Sequence, residues 1–191
     1  MLSKKKPKQT LWTFHAHKSV LMCCSVHFRD LLSSKNNEPP GKKWEDEKFE
    51  MTVRSFEGFE AIMRFVYTAD ERQLFKTIDI IDDIEYSEKV DSLLQIMMQA
   101  NELGMGGVRR LCAKRFCATI GLLSEDTVMI IFEASILCGE DRLGMFCFNW
   151  ILENWMLMMR GWSEETKEQK ISKLVGLVRG FVVAEIVPKT E

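Results

Sequence analysis

The chain has 191 residues, 46% hydrophobic and 28% charged, with a formal net charge of −2. That composition predicts a folded globular protein, one domain or a compact domain plus a short second one, and excludes a disordered chain. The near-neutral balance gives no global attraction to nucleic acid or anionic membranes.

Six cysteines (Cys23, Cys24, Cys112, Cys117, Cys138, Cys147) occur without a secretory signal pattern, so they are expected to be free, buried thiols in a reducing compartment. The best apolar run, Val128 to Cys138, is short for a membrane span and carries Glu133. The 12 methionines are expected mainly in the core.

Residues 1–10 are basic and polar and are expected to form a flexible tail. Residues 11–16 place Trp12 and Phe14 in loose alternation, a candidate strand. From His17 to Leu32 the pattern turns helical. Val20, Leu21 and Cys24 share one spacing and Phe28, Leu31 and Leu32 a second, with a break near Ser25. Pro39, Pro40 and Gly41 mark a loop over 33–47. Phe49, Met51 and Val53 then alternate with Lys48, Glu50 and Thr52, which predicts a strand with one buried face. Ser55 is a candidate N-cap for a helix to about Tyr67, with Phe56, Phe59, Ile62, Met63 and Val66 on its buried stripe. Residues 69–89 are ambiguous between a strand and an acidic surface loop.

The remainder reads as helical. Val90, Leu93, Leu94, Met97 and Ala100 form one stripe, ending near Gly104, and Val108, Leu111, Cys112 and Phe116 form the next. Ser124, followed by Glu125 and Asp126, starts a helix carrying Val128, Ile131, Phe132 and Ser135. Leu143, Phe146, Cys147, Trp150 and Ile151 make a further stripe, and Ser163 opens a last helix. The expected fold class is α+β and mostly helical: a small sheet covered by helices, then helix pairs with antiparallel neighbours.

Motifs for chemistry are weak. His15-x-His17 and Cys23-Cys24 lie close together, but there is no C-x2-C, so neither a metal site nor a cofactor is expected. Cys23 or Cys24 with His15, His17 or His27 has the residue types of a Cys–His pair. The alternative is a Cys24 packed on the helix's apolar face with the histidines at the surface. No nucleophile elbow, phosphate loop or H-E-x-x-H is present, so the chain is not expected to be an enzyme. Arg109, Arg110, Lys114 and Arg115 form a solvated helix face, so no nucleic-acid partner is expected. Lys4, Lys5, Lys6 and Lys8 fit a short nuclear-import signal. Trp44 sits in the charged segment Trp44-Glu45-Asp46-Glu47, and tryptophan is over-represented at binding hot spots. The alternative is that Trp44 folds back onto a helix.

The order of these blocks resembles a BTB/POZ domain. His17-Lys18-x-x-Leu21 and Ser25-x-x-Phe28-x-x-x-Leu32 are similar to the family's H-K-x-x-L and S-x-x-F block. Residues 49–53 resemble its central strand, and Phe59-x-x-Ile62-Met63-Arg64-Phe65-Val66-Tyr67-Thr68 the end of its central helix. Leu93-Leu94, Ala100, Leu103-Gly104-Met105 and Leu111-Cys112 resemble its last helical pair. Beyond Ser124 the helices with Ala134, Leu143, Cys147 and Ile151 are similar to a BACK-type extension. The resemblance implies a BTB/POZ-like domain over 11–122 and a BACK-like extension over 123–191. It also implies a protein-interaction function, either as substrate adaptor of a cullin-RING ubiquitin ligase or as an oligomerisation or scaffold domain of another kind, such as that of a transcriptional regulator. The implied cullin-type surface is Phe28, Leu32, Trp44, Asp46 and Tyr67, in a cytoplasmic or nuclear protein. Two departures qualify it. The D-V-x-F strand that usually precedes the H-K motif is missing, which implies a weakened homodimer and a truncated or divergent copy. Asp46 stands where cullin-binding members carry Glu.

Overall fold

The computed structural model describes residues 12–33, 51–79, 86–119 and 123–186. Within them the chain forms helices α1 (Lys18–Cys24), α2 (Val26–Ser33), α3 (Phe56–Thr68), α4 (Glu71–Leu74), α5 (Lys76–Asp79), α6 (Tyr86–Glu102), α7 (Gly106–Thr119), α8 (Glu125–Cys138), α9 (Asp141–Gly161) and α10 (Glu164–Ile186).

The break between α1 and α2 has a chemical cause. Ser25 is extended (φ −146°, ψ 129°). Its hydroxyl accepts the Phe28 N–H at 3.1 Å and donates to the Leu103 carbonyl at 2.5 Å. The first bond satisfies an N–H at the start of α2 that has no partner within the helix, as an N-cap residue does. The second ties the kink to the α6–α7 turn. Phe28 and Leu32 then fall one turn apart on the inner face of α2 and are both buried.

Ser55 caps α3 by accepting the Gly58 N–H at 3.1 Å. Phe59, Ile62 and Met63 are buried, while Phe56 and Val66 are half-buried. The helix stops at Ala69, a non-glycine residue in the left-handed region (φ 53°). Val90, Leu93, Met97 and Ala100 face the core from α6, and Val108, Cys112 and Phe116 from α7. Gly104 (φ 65°) turns the chain between them, as the sequence predicts for this Gly-rich segment.

The expected sheet is absent: no strand occurs among the described residues. A strand exists only through hydrogen bonds to a second strand, and the described parts of the two candidate segments have none. Residues 12–17 are in neither helix nor strand and lie along α3 through side chains. Trp12 stacks on Phe56 (ring centroids 4.3 Å apart), Phe14 meets Phe59 edge-on (5.6 Å), and the His17 N–H donates to Tyr67 Oη (2.6 Å). The contacts occur in the same order along both segments, so residues 12–17 track α3 in parallel. Of the second candidate, residues 51–53 are not in a ladder, and 48–50 lie outside the described residues. Next to them, the Arg54 N–H is taken by a side chain, Gln99 Oε1, at 2.7 Å. In the ambiguous stretch, 71–74 and 76–79 are single helical turns.

The second half is a helical hairpin with a long helix laid on it. Ser124 caps α8 by accepting the Thr127 N–H at 3.3 Å. Val128, Ile131, Phe132 and Ser135 are buried as expected. Gly139 (φ 64°) reverses the chain into α9, which packs on α8. Leu143, Cys147 and Ile151 face the core and Trp150 is half-buried, but Phe146 lies 44% exposed on the opposite side. Phe181 anchors α10 by meeting Phe132 edge-on (5.7 Å) above Gly144. At the other end, Trp162 Nε1–H donates to Glu125 Oε1 (2.6 Å), and Lys170 bridges Glu125 (3.2 Å) and Asp126 (2.8 Å). Because α6 also packs on α8 and α7 on α9, one hydrophobic core runs from Phe28 to Phe181.

Candidate partner-binding surface

Of the predicted surface residues, Phe28 and Leu32 each keep only 3% exposure, so they belong to the core and present no contact surface. Tyr67 is 42% exposed at the end of α3. Its hydroxyl accepts the His17 N–H, and His17 Nδ1 lies 3.3 Å from it. Trp44 and Asp46 lie outside the described residues, as do Lys4, Lys5, Lys6 and Lys8. The structure therefore brings Tyr67 together with the His17-Lys18 block on one outward face. With Trp12, Phe14 and half-buried Phe56, this face is aromatic along the length of α3.

A shallow groove between α1 and α3, lined by Ser19, Val20, Cys23, Cys24 and Val66, borders the same face. Its Cys24 thiol is not arranged as a nucleophile. The Cys24 Sγ donates to the Leu21 carbonyl (3.2 Å), and burial pushes its pKa up, away from the thiolate. Burial also raises Cys112, Cys117 and Cys138, and pushes Cys147 up to about 12. All six cysteines are free, and Cys23 is exposed. Among the described residues no cluster of histidine, cysteine or carboxylate side chains has the geometry to hold a metal ion. No described helix is long and apolar enough to cross a membrane.

Two buried polar contacts escape a reading by periodicity. Gln99, 1% exposed, sits on the core side of α6 and ends the 51–53 segment through its bond to Arg54. Glu140, 9% exposed, starts α9 but does not cap it. Its carboxylate lies 3.2 Å from Arg109 Nε on α7, out of line for a hydrogen bond, while Arg109 Nη1 donates to Asn101 Oδ1 at 2.6 Å. Arg109 is thus committed to structure and does not belong to a free basic face. Arg115 is likewise engaged, its guanidinium 5.4 Å from the Phe75 ring centre.

The arrangement is that of a recognition scaffold: an aromatic outer strap and an exposed Tyr67 held on a continuous helical core. Residues 11–120 match the family model of the BTB/POZ domain. The chain belongs to the BTB/POZ family, whose domains are protein–protein interaction modules that mediate oligomerisation and partner binding. It matches no curated protein and no solved structure.

Proposed function

We propose that this chain is a substrate adaptor of a cullin-RING ubiquitin ligase, with residues 11–122 engaging the cullin and residues 123–191 serving as a BACK-like extension. The observation that carries the reading is the BTB/POZ match over 11–120, with Tyr67 exposed where the resemblance puts a cullin contact. In this reading Tyr67, Trp44 and Asp46 make the contact, while Phe28 and Leu32 anchor α2 in the core. Calorimetry of the full chain against a cullin N-terminal domain tests this. Binding tighter than about 10 µM is expected, weakened about tenfold or more by Tyr67→Ala or Trp44→Ala. No heat of binding at tens of micromolar overturns it.

A second reading is a scaffold or oligomerisation module without a ubiquitin role, located in the nucleus through Lys4, Lys5, Lys6 and Lys8 or retained in the cytoplasm. The apolar side chains left outward on α9 favour it. Retained self-association in a chain that binds no cullin would select it.

A further inference from the structure

The outer face of α9 carries an apolar block larger than isolated surface hydrophobics would make. At about 100° per residue, Met145, Leu152 and Met156 fall on one line, and Phe146 and Leu157 on the next. They are 42%, 57%, 65%, 44% and 66% exposed, in that order. Spacings of seven and four along the first line cover eleven residues in three turns, close to the helix's own period, so the line stays on one side of α9 from Met145 to Met156. The opposite side of α9, with Leu143, Cys147, Ile151 and Met158, is already used by the core. The outer line is therefore a second seam on a helix held in place from behind.

The charges on this face identify its occupant. Arg142 precedes Met145 and Phe146, and Glu153 follows Leu152, with exposed Asn149 between. Both charged residues are exposed, and neither has an ionic partner among the described residues. They lie three turns apart, about 16 Å along the helix. A positive group before Met145 and a negative group after Leu152 make this part of the block self-complementary under a two-fold axis, with Met156 and Leu157 continuing the apolar face beyond it. An antiparallel copy centred between Cys147 and Phe148 sets each Arg142 opposite the partner's Glu153 and closes Met145, Phe146 and Leu152 between them.

We propose that the exposed face of α9 is a homodimer interface in which two copies pair antiparallel, locked by reciprocal Arg142–Glu153 ion pairs. It is separate from the Tyr67 face and does not rest on the cullin reading. Light scattering and sedimentation equilibrium of the full chain across a range of concentrations test it. A dimer is expected. Arg142→Glu and Glu153→Arg, each of which creates two like-charge contacts in the two-fold, should each weaken it about tenfold or more. The double swap Arg142→Glu with Glu153→Arg should restore it, because the ion pairs re-form with reversed polarity. Leu152→Glu should abolish it. All four variants alter exposed side chains and should keep the parent's circular dichroism and cullin binding. A monomer throughout overturns the proposal, as does a dimer indifferent to these changes or single reversals that the double swap does not repair.

Discussion

Gly144 shows how closely single residues are fitted in this core. A Cβ built there would lie 2.7 Å from Phe181 Cε2 and 3.1 Å from Ser135 Oγ. The ring cannot swing away freely, since Phe132 and Phe148 flank it at 5.7 and 6.5 Å. Gly144→Ala should therefore destabilise the protein by about 1–3 kcal/mol, read as a lower urea midpoint, although alanine is ordinarily the better helix former. The buried thiols give a second test. Cys147 moves from 9.0 to about 12 because burial opposes its thiolate. A folded-state pKa above the unfolded one means that the native protein holds the proton longer. The stabilisation is therefore complete below pH 9 and is lost as pH rises towards 12. Over that window each such thiol lowers stability by up to about 1.4 kcal/mol per pH unit. Urea melts at successive alkaline pH values should show the decline, and Cys147→Ala should make it shallower by up to about 1.4 kcal/mol per pH unit, leaving the share of the other buried thiols. A melt midpoint constant to pH 10.5 or so would contradict the assignment.

At the scale of elements, the S-x-x-F spacing that the sequence displays now has a mechanism. Ser25 must cap Phe28 and hold the Leu103 carbonyl at once, so the motif joins a local helix start to a contact 78 residues away. Ser25→Ala removes both bonds and leaves two buried backbone groups without their partner. It should cost about 2–3 kcal/mol, and hydrogen exchange should quicken first in α2 and the α6–α7 turn. Ser25→Thr, which keeps the hydroxyl, should recover part of that stability. Most helices were legible because their apolar residues repeat at helical spacing and because Ser55 and Ser124 cap where serine before an acidic turn predicts. The sheet was misread because alternation over Phe49, Met51 and Val53, or around Trp12 and Phe14, reports only which side chains face inward. It does not report whether a second backbone lies within reach. Phe146 was misplaced for a related reason. A helix with apolar residues on two faces offers two stripes, and spacing alone does not say which one meets the core. Gln99 and Glu140 were invisible because a buried polar residue looks like a surface residue until its partner is known.

At the scale of the whole molecule, the packing crosses residue 122, where the resemblance implies a division. The BTB/POZ match ends at residue 120, yet the packing does not pause there. On α7, Val108, Cys112 and Phe116 are each at most 1% exposed, and α6 and α7 pack against α8 and α9. The Arg109–Glu140 contact crosses the same boundary in a setting where Glu140 is largely withdrawn from water. Breaking it by Glu140→Ala leaves the Arg109 cation without that carboxylate and should cost about 3 kcal/mol. One core thus spans both sides of the boundary at which the BTB/POZ match ends. The consequence is cooperative unfolding: α8 to α10 should not melt apart from α3, α6 and α7. Tryptophan fluorescence of a variant with Trp12→Phe and Trp44→Phe, reporting only on Trp150, Trp155 and Trp162 in the second half, and far-ultraviolet circular dichroism, reporting on all the helices, should give one coincident urea transition. A chain ended after residue 122 should lose that transition, because the inner faces of α6 and α7 would be returned to water. It should bind a hydrophobic dye and exchange its α6 amides rapidly. Two separated transitions in the intact chain, or a truncated chain that melts cooperatively at the parent's midpoint, would show that residues 11–122 are a self-sufficient unit after all.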